Sequence, residues 1–254
     1  MQFYNEGNKL INSDTEKAKV LYYLSTLYGY KFGYLKLVSS TPNIDTKKHF
    51  LTKYSTETYP NEKLLDIVSF WMRIPSKELV NNYYDNVDVT KVWKERFFTK
   101  SEKFDLELNE KYSDYHKEFK DFEPLYISDF LGLVILYDQI SRNIFRNTSD
   151  AYSYDTKAYS LVNKILPCVD KLSPIIQVMI ILVLIHQENT EAHVKSKELF
   201  KNLKNKIPVE IYSKLREIIT NHNMRIELFN RIPERNIILN RKSTDHEKTF
   251  MSSV

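Results

Sequence analysis

A chain of 254 residues with 42% hydrophobic and 28% charged side chains can bury a sizeable core, and this balance excludes a wholly disordered polymer. Its 37 basic and 33 acidic residues are interspersed, so a formal net charge of +4 gives only a weak pull toward polyanions. Four glycines and eight prolines are too few for a many-stranded β protein, and the single Cys168 excludes an internal disulfide or a multi-cysteine metal site.

The opening MQFYNEGNKL lacks a secretory apolar core, and the longest apolar run, 178–185, falls far short of the roughly 20 residues of a membrane span. With Cys168 expected to pack rather than react, these features predict a soluble, cytoplasmic protein with no membrane partner. Residues 1–60 read as an N-terminal helical appendage. Positions 16–37 carry apolar and aromatic residues at helical spacing, weakened by Gly29 and Gly33, and 39–50 reads as a polar connection. The tyrosines of this segment suit packing first and a contact surface second.

From there to residue 254 the pattern predicts one helical-array domain, 61–254. Asn61 or Pro60 opens a helix with Leu64, Leu65, Val68 and Trp71 on its apolar face, and Pro75 follows its end. Residues 77–98 are polar and partly loop. Ser101 caps a helix with Phe104, Leu108, Tyr112 and Tyr115 on one side. After Pro124, the run 130–146 turns from apolar to polar, and Ser149 or Asp150 caps the helix that follows. Ser173 with Pro174 starts the most apolar helix of the chain. Two amphipathic segments, 195–207 and 208–229, lead to a tail that is irregular up to Lys242, where Ser243 and Glu247 mark a last helix start. The sum is all-α, with seven to ten helices in antiparallel pairs.

Three patches set charge beside apolar sequence: Asp138, Gln139, Arg142, Asn143 and Arg146; then HQEN at 186–189; then NRIPERN at 230–236 with Asn240 and Arg241. On an α-helix Asp138 sits one turn below Arg142, and Gln139 one turn below Asn143. His186, Asn189 and His193 share a face, whereas Glu188 points about 160° from His186 unless the helix ends between them. That spacing argues against a metal site. Arg142, Arg146, Arg231, Arg235 and Arg241, if convergent, form a cationic pocket for phosphate or carboxylate, with Asp138 and Glu188 holding some of them in place. In the alternative these groups neutralise one another in an internal salt-bridge network.

FLGLVILYDQISRNIFRNTSDAYSYDTKA at 130–158 resembles the pattern LLDQFPRNIFRGTPRAFAYDAKA of a mainly bacterial family, domain-of-unknown-function family 924, of the tetratricopeptide-like clan. FWM at 70–72 resembles its FWF, RFFTKSEKFD at 96–105 its WFxKDxxFD, LIHQEN at 184–189 its LPxxHSED, and FNRIPERNIILNRKST at 229–244 its FGRFPHRNxxLGRxST; His222 falls on a family histidine. The resemblance covers about residues 60–254 and implies a tetratricopeptide-like helical array. Three family glycines are Asn147, Asn230 and Asn240 here, which predicts a tight turn with positive φ at each. The family's proline before RN is Ser141, and its histidine in FPHRN is Glu234. Matching polar residues are Asp138, Gln139, Arg142, Asn143, Arg146, Asp155, His186, Glu188, His222, Arg231, Arg235, Asn236 and Arg241.

The expected function is a pocket for a small anionic ligand, bound by Asp138, Gln139, Arg142, Asn143, Arg146, Glu188, Arg231, Arg235, Asn236 and Arg241. His186 and His222 are the candidate proton carriers, because imidazole titrates near neutral pH. No cofactor is expected. The chain lacks a Gly-rich phosphate loop, a G-x-S-x-G elbow and a zinc motif, so no reaction follows from sequence. The alternative is a helical scaffold that binds protein or RNA through a concave basic and aromatic surface.

Overall fold

Helix starts follow from side chains that cap free backbone N–H groups, and helix ends from residues that adopt the left-handed conformation. The computed structural model describes residues 1–55, 59–80, 84–97 and 100–253. In the N-terminal segment α1 (Gln2–Leu10) is followed by Asp14, which accepts from Lys17 N at 3.0 Å and opens α2 (Thr15–Leu27). Gly29, at φ 83°, stops α2, so the single helix expected over 16–37 is two, the second being α3 (Phe32–Ser40). Most of the expected polar connection 39–50 is instead helical, in α4 (Ile44–Ser55), where Asn43 Oδ1 accepts from Thr46 N at 2.9 Å.

Asn61 accepts from Lys63 N and Leu64 N and starts α5 (Glu62–Met72). The stretch read as partly loop contains α6 (Ser76–Val80) and α7 (Val89–Glu95), and its positions 81–83 and 98 lie outside the described residues, as does position 99 of the family-like RFFTKSEKFD. Ser101 accepts from Phe104 N and opens α8 (Glu102–Tyr112); Tyr115 belongs to the next turn, α9 (Tyr115–Glu118). α10 (Ile127–Val134), a π-helical turn (Ile135–Ile140) and α11 (Ser141–Ile144) follow one another without a break. Ser149–Tyr152 form a 3-10 turn rather than a helix start, and α12 (Asp155–Asn163) begins after it.

The remaining helices are α13 (Pro174–Ile185), α14 (Thr190–Asn202), α15 (Val209–Phe229) and α16 (Asp245–Ser253). The last is capped one residue later than expected: Thr244 Oγ1 accepts from Glu247 N at 3.2 Å, and Glu247 Oε2 accepts from Thr244 N at 2.7 Å. Asn147, Asn230 and Asn240 stand at φ 65°, 54° and 52°. The fold is all-α. Among the described residues sixteen α-helices outnumber the expected seven to ten because short helices resume after breaks, and no strand occurs.

α13 is apolar on every side, and each residue from Ile175 to Ile185 is buried. The same core holds Leu64, Val68 and Trp71 of α5 and Phe130, Leu131 and Leu133 of α10. Gly132 lets α10 approach α5 closely, since a Cβ there would lie 2.7 Å from Leu64 O. α2 serves two cores: Leu21, Leu24 and Leu27 join the main one, while Ala18 and Tyr22 pack with Tyr34 and Leu37 in a smaller one. No helix among the described residues is long and apolar enough to cross a membrane.

Candidate functional site

The π turn is the local feature that shapes the site. Ser141 N–H reaches back to Leu136 O, five residues earlier, and the same carbonyl accepts from Ser141 Oγ at 3.0 Å. The buried His116 closes the turn from α9, its Nε2 lying 3.2 Å from Leu136 O and 2.8 Å from Ser141 Oγ. A carbonyl only accepts, so Nε2 carries the proton and donates. The widened turn falls on Asp138 and Gln139, as π turns often do beside functional groups.

Asp138 is 1% exposed. Its Oδ1 lies 2.7 Å from His186 Nδ1, and its other oxygen accepts from the Gln139 amide. Arg142 Nη2 reaches Asp138 Oδ1 at 3.4 Å and Asp155 Oδ1 at 2.8 Å, and its Nη1 donates to Ala151 O at 3.4 Å. Burial alone would raise the Asp138 carboxyl, but His186 and Arg142 outweigh it and hold it at about 2. The carboxylate is therefore ionised, and Nδ1 must donate to it. The same nitrogen cannot also accept from Arg142 Nε, 3.3 Å away, and the shorter contact decides the tautomer. Burial and then Arg142 lower the His186 pKa, so the ring is neutral with its lone pair on Nε2.

α13 ends at Ile185, so His186, Gln187 and Glu188 lie in the turn before α14. The helix ends just before the two residues whose helical angles would have set them apart, and His186 and Glu188 line one cleft. This cleft, of about 270 Å³, is also lined by Ser149, Tyr152, Ser153, Asp155, Gln187, Arg235 and Leu239. Asn189 instead caps α14, accepting from Ala192 N at 2.8 Å. His193 turns inward, its Nε2 2.8 Å from Gln187 O and its Nδ1 2.7 Å from Asn223 Oδ1. Burial lowers the His193 pKa, and a neutral ring donating to Gln187 O needs a donor at Nδ1. Rotating the Asn223 amide supplies one from Nδ2, which otherwise has no partner.

Arg235 reaches the cleft from the 3-10 turn Pro233–Arg235 and is 8% exposed. Its Nη1 lies 3.4 Å from Asp155 Oδ2, and its guanidinium carbon stands 4.6 Å from the centre of the Tyr152 ring. Burial and the neighbouring Arg142 both disfavour its charge. Burial raises the Asp155 carboxyl, against the pull of Arg142.

The other named residues are distributed around this centre. Arg142 and Asp138 form the layer behind the cleft. Arg241 grips Glu188 with two nitrogens, one at 2.9 Å, and Glu188 also accepts from Ile232 N at 2.9 Å. Arg231 makes a two-point pair with Glu247 at 2.6 and 2.8 Å, which ties α16 to the end of α15. Arg146 pairs with Asp105 of α8 at 2.7 and 2.9 Å and donates to Asn143 Oδ1 at 2.8 Å. The buried Asn236 donates to Ser243 Oγ at 3.1 Å. The His222 ring lies 6.0 Å from that of His186, its Nδ1 bonds Ile218 O at 2.9 Å, and burial with His186 lowers its pKa to about 3. Four of the five arginines are thus engaged by carboxylates at 2.9 Å or less, and Arg235 is the one that lines the cleft. Tyr152, Ser153 and His116 were not singled out in the sequence, and Ser149 was read there only as a helix cap; Tyr152 occupies a position where the family pattern has an aromatic ring, which was the available signal. Among the described residues no group of three or more His, Cys, Asp or Glu side chains is arranged to hold a metal ion.

A family model described as "Bacterial protein of unknown function (DUF924)" matches residues 67–254. A solved structure, the protein of unknown function ATU0120 from Agrobacterium tumefaciens, shares 23% identity at a TM-score of 0.58, covering 75% of this chain and 97% of its own. At that identity the likeness concerns the fold. No curated protein matches.

Proposed function

This chain belongs to the DUF924 family of bacterial proteins, and from that premise we propose that the cleft binds a small phosphate- or carboxylate-bearing anion with which His186, oriented by Asp138, exchanges a proton. The observation that carries this reading is Arg235. It is a buried cation whose facing carboxylate, Asp155, is 3.4 Å away and already engaged by Arg142 at 2.8 Å. A guanidinium has five N–H donors and pairs with planar anions through two of them at once. A bound anion would give these donors a partner closer than Asp155, and Ser149 and Ser153 line the same cleft.

The neutral imidazole adds the chemistry. Asp138 fixes the Nδ1–H tautomer, so Nε2 is the basic nitrogen, and a positioned imidazole contributes about 10²–10⁴-fold to a proton-transfer step. We further read the helix pairs as a tetratricopeptide-like array in the cytoplasm, where the buried Cys168 stays a thiol. Of the N-terminal tyrosines on which a scaffold for RNA or protein would rely, three pack on one another, Tyr4 lying 5.8 Å from Tyr22 and 5.0 Å from Tyr30.

Thermal denaturation with inorganic phosphate and with short carboxylates tests the reading. A ligand at 100 times its Kd stabilises by about 2.7 kcal/mol. Wild-type protein gains such a shift from at least one of these anions and Arg235→Gln does not; equal shifts in both proteins would overturn the proposal.

A further inference from the structure

A second cavity lies away from the cleft, partly within the segment that precedes the family match. It measures about 610 Å³, more than twice the 270 Å³ of the cleft, and lies between α2, α3 and α4 on one side and residues 123–125 with Lys164 on the other. Val20, Tyr23, Tyr34, Leu37, Phe50 and Leu125 make its floor. Cavities of this size with an apolar lining and a few polar groups suit small-molecule ligands.

We propose that this cavity binds an amphipathic anion, specifically an aliphatic carboxylate whose tail lies on the aromatic floor and whose carboxylate sits between Lys53 and Lys164. Charge complementarity selects that occupant. At the rim, Lys19 is paired with Glu16 at 2.6 Å, and His49 Nε2 lies 3.1 Å from Glu123. Lys53 and Lys164 are the rim ammonium groups that have no ion pair among the described residues. Lys53 is half-buried, which makes an unpaired ammonium there costly and a carboxylate partner favourable. The Tyr23 hydroxyl also has no hydrogen-bond partner among the described residues, and burial keeps it protonated and able to donate. The His49–Glu123 contact ties α4 across the cavity to the loop before α10, holding the floor and the rim together.

Calorimetric titration of the full chain with laurate, below its micelle concentration, tests this. Wild-type protein binds one laurate saturably. Lys53→Glu/Lys164→Glu, which changes two side chains at the rim, weakens binding at least ten-fold with unchanged helical circular dichroism. Thr46→Trp, which fills the cavity, abolishes it, and dodecanol binds at least ten-fold more weakly than laurate. Arg235→Gln, in the cleft, leaves laurate binding unchanged, so the two sites fail or stand separately. Absence of saturable laurate binding, equal affinity in the charge-reversed variant, or equal affinity for dodecanol would overturn the proposal. Binding of phosphatidylglycerol vesicles in place of free laurate would likewise overturn it, in favour of a membrane surface.

Discussion

Asp138 Oδ1 and His186 Nδ1, 48 residues apart in the chain, lie 2.7 Å from each other in a pocket that leaves the carboxylate 1% exposed. An ionised carboxylate on Nδ1 fixes both the orientation and the tautomer of the ring, the role that aspartate plays toward histidine in hydrolytic triads. Here the π turn delivers Asp138, and the end of α13 delivers His186.

Replacing Asp138 by Asn removes the group that raises the His186 pKa, while burial and Arg142 continue to lower it. Imidazole ¹⁵N NMR is therefore expected to show a lower His186 pKa in Asp138→Asn. Arg142 also loses a carboxylate, and breaking a buried pair costs about 3–5 kcal/mol, which urea denaturation measures. An unchanged pKa together with unchanged stability would show that the pair is not formed.

The acid limb of stability should rest on two carboxylates. Hydrogen bonds from Arg231 hold Glu247 at about 2 against an ordinary value of 4.5, and Asp138 is held at about 2 against 3.8. Both are depressed in the folded state, so each contributes stability that is present above its ordinary value and lost as pH falls through about 2. Wild-type stability should drop between pH 4.5 and pH 2. Glu247→Gln should be less stable at pH 7 and lose less across that interval; a parallel acid limb would refute the assignment.

Asn230 ends α15 at φ 54°. Glycine accepts that conformation without cost, whereas a Cβ in the left-handed region costs about 1–2 kcal/mol unless a short polar side chain compensates. Asn230→Gly is expected to stay near wild-type stability and Asn230→Ala to lose about 1 kcal/mol. Chemical denaturation of the two variants checks the order.

Gly132→Ala tests the seam between α5 and α10. The added Cβ would meet Leu64 O at 2.7 Å and Leu64 Cβ at 2.9 Å, and neither is a flexible side-chain end. Overpacking of this kind costs about 1–3 kcal/mol, so a visibly lowered melting temperature is expected. A melting temperature equal to wild type would mean the helices are not held at this distance.

Much of the fold was legible because capping is chemically explicit. Asn61, Ser101 and the Ser173–Pro174 start each open a helix where the residue types predict one. The three asparagines at family-glycine positions announced their positive φ. What escaped was context: Gly29 breaking the 16–37 helix, α4 forming from a polar stretch, and above all the π turn. Nothing in ILYDQI itself departs from helical patterning. The one available signal was the family's proline at the position of Ser141, since proline cannot supply an N–H to continue the α-helical ladder.

The site was legible as a set of residues and less so as an arrangement. Patterning brought Asp138, Arg142, His186, Glu188, Arg235 and Arg241 into consideration, and they do meet. It could not tell that Arg146 would pair with Asp105 and Arg231 with Glu247, because those partners come from other helices. Side-chain pairing across 16 to 53 residues is decided by tertiary packing, which no local spacing records.

The most direct test of the cleft is an NMR titration of protein carrying ¹⁵N-labelled histidine with inorganic phosphate at pH 7. The account predicts a saturable shift of the His186 Nε2 resonance, toward the protonated form as the bound anion raises its pKa, and loss of that shift in a folded Arg235→Gln variant. A His186 resonance that does not respond, or that responds equally in Arg235→Gln, would contradict it.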